Sequence, residues 1–91
     1  MSKYYVYICS NTYRTVLYIG VTGDLHKRLA THAAGEGSKF TSRYNCTDLI
    51  YYEEYQNVRE AIAREKQLKN WKRQWKLDLI KSVNPEMVTL L

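Results

Sequence analysis

Two segments near the N-terminus, Tyr4 to Cys9 and Val16 to Val21, are rich in β-branched and aromatic residues and are apolar at both parities along the chain. Successive side chains of a strand point to opposite faces, so a strand with one wet face alternates apolar and polar residues. These two do not alternate. They read as neighbouring strands joined by a hairpin loop, Asn11 to Thr15, in a sheet that must be covered on both faces.

The rest of the chain must supply that cover. Thr22-Gly23-Asp24 stops the second strand, and Asp24 is placed to cap a helix running to about Ala34. The i, i+4 spacing of Leu25, Leu29 and Ala33 marks its inner face. Gly35 to Lys39 reads as a loop and Leu49 to Tyr55 as a third strand. Asn57, with Glu60 three residues on, resembles a capping box opening a helix through about Lys69. A further helical stretch runs from about Trp71 to Ser82, and the pattern leaves open whether Asn70 separates the two. Asn84-Pro85 ends it, because the residue before proline avoids the helical region. The order β-β-α-β-α-α predicts an α+β fold, a small three-stranded antiparallel sheet flanked by helices, with residues 1–91 forming a single domain.

Composition narrows the function classes. With 91 residues, 45% hydrophobic and Tyr 9 among them, the chain can build one small core. Cys9 and Cys46 are too few and too far apart for a disulfide framework or a zinc site, and suit small buried residues in a reducing cytosol. No run approaches the ~20 apolar residues of a membrane span, and no signal peptide precedes the first strand. The expectation is a soluble cytoplasmic protein. Lys+Arg 14 against Asp+Glu 9 leaves a formal net charge of +5, which favours an anionic partner, nucleic acid first.

Three ionisable residues fall on faces that should be apolar. With Leu25 at 0°, Leu29 lies at about 40°, Ala33 at about 80°, Arg28 at about 300° and His32 at about 340° around the helix. Arg28 and His32 are thus one turn apart at the edge of the inner stripe. Arg28 can be explained as a stem covering apolar surface, and His32 as a half-buried, satisfied histidine. Glu65 is harder to explain, because Val58, Ala61, Ile62 and Leu68 place it near the centre of an apolar face. Left unpaired there, a carboxylate would cost several kcal/mol. It must meet a cation, either a protein group such as Arg28 or a divalent metal completed by water and phosphate oxygens, which suits Mg²⁺. Tyr7 and Tyr18, on adjacent strands, could look toward these groups, and Gly20 leaves space beside them.

These residues resemble the GIY-YIG nuclease superfamily, in particular its small stand-alone bacterial members. Tyr5-Val6-Tyr7 occupies the place of the first half-motif, with tyrosine and valine where the family has glycine and isoleucine, and Tyr18-Ile19-Gly20 is the second half-motif intact. Arg28 and His32 follow at the family's spacing, Glu60-Ala61-Ile62-Ala63-Arg64-Glu65 is similar to the helix presenting its metal-binding glutamate, and Asn84 is similar to its late asparagine. The resemblance implies a metal-dependent DNA endonuclease, acting in DNA repair or recombination, that hydrolyses phosphodiester bonds at one site. In that reading Glu65 holds Mg²⁺, with Mn²⁺ as a substitute, and Arg28 stabilises phosphate charge. Tyr18 or His32 handles the attacking water, the base being open between them. Tyr7 completes the network and Asn84 orients the site. The rival expectation is a non-catalytic nucleic-acid-binding module with the same fold.

Lys66, Lys69, Arg73 and Lys76 share a sector of about 80° if the helical stretch is continuous. With Lys39 and Arg43 they could track a phosphate backbone, positioning nucleic acid without reading its sequence, so that specificity would fall to a partner protein. The glycine-containing loop lacks the Gly-Lys-Ser/Thr ending of a phosphate-cradling loop.

Overall fold

Strand β1 (Tyr4–Ser10) lies between β2 (Leu17–Thr22) and β3 (Asp48–Tyr55), antiparallel to both, in a sheet of order β2-β1-β3. The computed structural model describes residues 2–36 and 39–91. Helices α1 (Leu25–Ala33) and α2 (Lys39–Tyr44) precede β3, and α3 (Val58–Asn70) and α4 (Arg73–Val83) follow it. The α+β class and three-stranded antiparallel sheet agree with the sequence expectation, but α2 adds a helix at Lys39, where the sequence predicts loop. Gly37 and Ser38, also in that expected loop, lie outside the described residues. Among the described residues, no helix is long and apolar enough to cross a membrane.

The two-sided strands have the two covers they need. Val6, Ile8 and Ile19 join Ala61, Leu68 and Ile80 in one core cluster, so α3 and α4 lie over that face. Tyr7, Cys9, Leu25, Cys46 and Leu49 form the second cluster, with Leu29 packed against it, so α1 covers the other. Both cysteines are free and buried, as expected. A register shift after Ile8 makes Tyr51 the partner of Ile8 and Leu49 the partner of Cys9, leaving Ile50 as the extra residue of a bulge. Ile50 and Tyr51 consequently fall in the same cluster although they are consecutive.

Asp24 caps α1 by accepting the Lys27 N–H at 3.0 Å, and Asn57 caps α3 by accepting the Arg59 N–H at 2.8 Å. Helix α3 ends at Asn70 and α4 begins at Arg73, with the extended residues Trp71 and Lys72 between them. The single continuous helix that would align Lys66, Lys69, Arg73 and Lys76 therefore does not exist.

Glu53 fixes α3 to β3. Its carboxylate accepts Arg64 Nε and Nη2 at 3.0 Å and Tyr55 Oη at 2.7 Å, and it also takes the Tyr51 hydroxyl. The Arg64 guanidinium lies 5.0 Å from the centre of the Trp71 ring. Burial raises the Glu53 pKa, but the bonds from Arg64, Tyr51 and Tyr55 outweigh it and hold the group below its usual carboxylate value of 4.5. A carboxylate with a depressed folded-state pKa stabilises the fold above the unfolded value and loses that contribution as the pH falls through the folded one. Urea unfolding at pH 7 should show Glu53→Gln destabilised by about 1–3 kcal/mol. The deficit should shrink as the pH falls below 4.5.

Candidate active site

Tyr7 and Gly20 face each other as Cα partners on β1 and β2, and the Tyr7 ring lies over the glycine. A Cβ built on Gly20 would overlap Tyr7 Oη and Cζ. The missing side chain is what lets the phenol lie flat across β2 and reach α1, where Tyr7 Oη meets His32 Nε2 at 3.1 Å. Both groups are buried, Tyr7 to 1% and His32 to 2% relative exposure. Tyr18 completes a three-ring cluster, its centroid 6.2 Å from Tyr7 and 5.7 Å from His32.

His32 sits deeper than its edge position on the helical wheel suggested, while Ala33, expected on the inner face, is exposed. The buried stripe of α1 runs through Leu25 and His32. At about 80° from Leu25, Ala33 has turned away from the sheet.

Electrostatics links this cluster to both outlying charges. Burial drives the Tyr7 pKa well above its ordinary 10.0, and Tyr18 adds to the rise. Arg28 pulls it down and Glu65 pushes it up, so a cation from α1 and an anion from α3 both act on one phenol. Burial, then the Arg28 charge, holds His32 below its ordinary 6.5. At neutral pH the Tyr7–His32 bond therefore joins two uncharged groups. His32 Nδ1 is buried and has no hydrogen-bond partner among the described residues.

Glu65 lies between the buried residues Ala61 and Leu68, its side chain 17% exposed. Val58 and Ile62, expected on the same apolar face, are exposed, so that face is narrower than the spacing implied. The structural alternative to a metal was an Arg28–Glu65 pair. Arg28 is exposed and makes no ion pair with Glu65, whose partner is Lys69, one turn along the helix at 3.6 Å. The helices bearing the two residues cover opposite faces of the sheet, and the lysine is nearer.

Asn84 is taken up elsewhere. Its Nδ2 donates to the carbonyls of Ile50 and Val88 at 2.9 Å each, and its Oδ1 accepts the Val88 N–H at 3.2 Å. It therefore clamps the C-terminal segment to the β3 bulge, and none of these bonds reaches the ring cluster.

The basic residues divide in the same way. Lys69 and Lys76 line a cleft of about 280 Å³ with Leu17, Tyr18, Ile19 and Phe40. Tyr18 points to one face of β2 and its neighbours to the other, so this cleft follows the open edge of the sheet. Lys66 is exposed, and Arg73 Nη2 donates to the Arg14 carbonyl at 3.3 Å. Arg43 lies 5.5 Å from the centre of the Tyr44 ring, and Lys39 opens α2 exposed. Phe40 escaped the sequence reading, although its i, i+4 spacing to Tyr44, flanked by Lys39 and Arg43, carried the signal.

The profile of the GIY-YIG catalytic domain matches residues 3–78. A UPF0213 protein of Staphylococcus haemolyticus is 40% identical over 82 residues, covering 88% of this chain and 96% of that protein. One from Bacillus pumilus is 43% identical over 60 residues, covering 66% and 61%. The solution NMR structure of a UPF0213 protein from Bacillus halodurans superposes with a TM-score of 0.58 at 28% identity, covering 90% of this chain and 86% of that one.

Two consequences of the cluster can be measured. Gly20→Ala should displace the Tyr7 ring from His32, cost about 1–3 kcal/mol in urea unfolding and move the His32 ring resonances in NMR. Gly23→Ala, with its nearest neighbour 3.9 Å away, should change stability by less than about 0.5 kcal/mol. The depressed His32 pKa means that the folded state resists protonation there. Its contribution to stability is complete above the unfolded value of 6.5 and falls as the pH drops from 6.5 toward the folded pKa. Denaturant midpoints measured at pH 7.5 and about 5.5 should fall for the wild type and differ less for His32→Gln.

Proposed function

Since this chain belongs to the GIY-YIG family, we propose that it is a metal-dependent DNA endonuclease whose site is built on Tyr7, Tyr18, Arg28, His32 and Glu65. GIY-YIG domains are in general nucleases that bind nucleic acid and depend on a divalent metal. The observation that carries the proposal is the Tyr7–His32–Tyr18 cluster, with the opposite charges of Arg28 and Glu65 both acting on its buried phenol.

The residues fit a metal of one particular kind. No group of three or more His, Cys, Asp or Glu side chains converges among the described residues, which argues against a fully protein-ligated cage. Glu65 offers a half-buried carboxylate, engaged by a 3.6 Å pair to Lys69, whose side chain is 52% exposed. One hard oxygen donor suits Mg²⁺ or Mn²⁺, cations that keep several waters and take substrate phosphate oxygens as further ligands. Such a metal, when bound, polarises the scissile phosphate and stabilises the leaving oxygen.

The chain's own groups supply the rest. Arg28, exposed at the rim and unpaired with Glu65, presents planar donors to the phosphate and stabilises charge that develops on it. His32 is neutral at pH 7 and can accept a proton. Its buried Nδ1, without a hydrogen-bond partner among the described residues, is a cost that a purely structural histidine would avoid. Tyr7 keeps its own proton and holds the imidazole in place. Tyr18, beside both rings and on the cleft, orients the attacking water.

Incubation of labelled linear, nicked, branched and single-stranded DNA with Mg²⁺ or Mn²⁺ should yield cleavage by the wild type. Arg28→Ala should slow it by about 10²–10³-fold, and Glu65→Gln should bring it to background while leaving binding in EDTA unchanged. Binding without cleavage by any of these proteins would instead identify a non-catalytic nucleic-acid-binding module.

A further inference from the structure

Helix α2 carries exposed aromatic surface that the folded core does not need. Phe40 is 41% exposed and Tyr44 40% exposed, and their ring centroids are 4.7 Å apart. Phe40 also lies 5.9 Å from Tyr18 at an interplanar angle of 30°. Tyr18, Phe40 and Tyr44 thus form a continuous aromatic run from the site outward, ending where Arg43 lies over Tyr44. A large apolar ring left in water forgoes its burial energy, and here two do so side by side.

Charge beside this run identifies its occupant. The cleft under Phe40 is flanked by Lys69 and Lys76, which come from two different helices and converge on the edge of β2. Aromatic faces with cations at their margin recognise a chain that is apolar on its bases and anionic on its backbone. In an intact duplex the base faces are stacked on one another and unavailable to a side chain. An unpaired strand offers them freely, and stacking of this kind is tolerant of sequence. The cleft volume of about 280 Å³ lies near the ~300 Å³ lower bound of small-ligand sites, which suits one nucleotide.

Resting on the endonuclease reading above, the geometry points to an unpaired DNA strand as the substrate class. Phe40 and Tyr44 stack its bases, while Lys69 and Lys76 hold its phosphates next to Tyr18. Single-stranded DNA, or the single-stranded arm of a branched molecule, is led along α2 into the site. Phe40 and Tyr44 are specificity determinants, with no part in the bond-breaking step.

Binding in EDTA tests this without relying on cleavage. Fluorescence anisotropy should show the Phe40→Ala/Tyr44→Ala double variant weakened at least about fivefold for a single-stranded oligonucleotide, the lower end of the loss expected per stacked base. Blunt duplex binding should change by less than about twofold, because phosphate contacts carry it. Phe40→Trp should retain affinity for the single strand, and Phe40→Leu, similar in volume but without a π face, should not. 2-Aminopurine in the single strand should be quenched by the wild type and not by the double variant, with circular dichroism confirming that both are folded. Equal losses on single strand and duplex, or none on either, would overturn the stacking platform. Absence of cleavage by a wild type that passes these binding tests would overturn the endonuclease reading alone.

Discussion

The placement of one phenol across one glycine governs the rest of the candidate site. Tyr7 belongs to the central strand, and a side chain on its β2 partner would leave the ring no room. Because residue 20 is glycine, the ring extends over the neighbouring strand and brings its hydroxyl to His32. That bond ties α1 to the central strand, and burial favours the neutral form of both partners. Arg28, one turn earlier on the same helix, then projects its charge at the rim. A local steric fact thereby lets a strand residue and a helix residue meet in the buried interior.

The sheet's two edges are treated differently. On the β3 side, the backbone carbonyls of Leu49 and Ile50 accept hydrogen bonds from Leu90 N–H and from Asn84, so the C-terminal segment lies against that strand. The β2 edge is lined by lysine and aromatic side chains. Glu65 on one layer and Arg28 on the other both influence the Tyr7 ring, which lies across this outer strand. The Glu53–Arg64 network holds α3 in the rotation that turns Glu65, next in sequence to Arg64, toward this edge.

The sequence reveals the sheet because period and composition agree there: strands apolar at both parities need two covers, and two covers exist. Asp24 and Asn57 are equally readable, since capping is a local interaction between residues two or three apart. Helix α2 is hard to read because six residues hold a single i, i+4 repeat, Phe40 to Tyr44, too little to establish a period. The helical wheel misjudges Ala33 and His32 because it assumes that the inner face is the most apolar one, whereas the Tyr7 hydroxyl rewards a histidine there. Asn84 has a structural task that the sequence does not reveal. Its position in the chain matches a site residue of the family, but a bulge in β3, invisible to any pattern of period two, offers its amide a carbonyl. Glu53 and Arg64 are undetectable as a pair because nothing local connects residues on a strand and a helix.

Arg14 adds a long-range constraint. Its backbone is left-handed, with φ of 60°, and its guanidinium donates to the carbonyl of Asn11 at 2.7 Å, to Asp48 at 2.6 Å and to the carbonyl of Met87 at 2.8 Å. One side chain thus ties the first turn to the start of the last strand and to a residue 73 positions away in sequence. Closing so long a loop costs entropy that is recovered only when both ends have arrived. The hairpin tip and the carboxyl-terminal segment should therefore exchange their amide hydrogens together, as one cooperative unit, rather than fraying as two independent extremities.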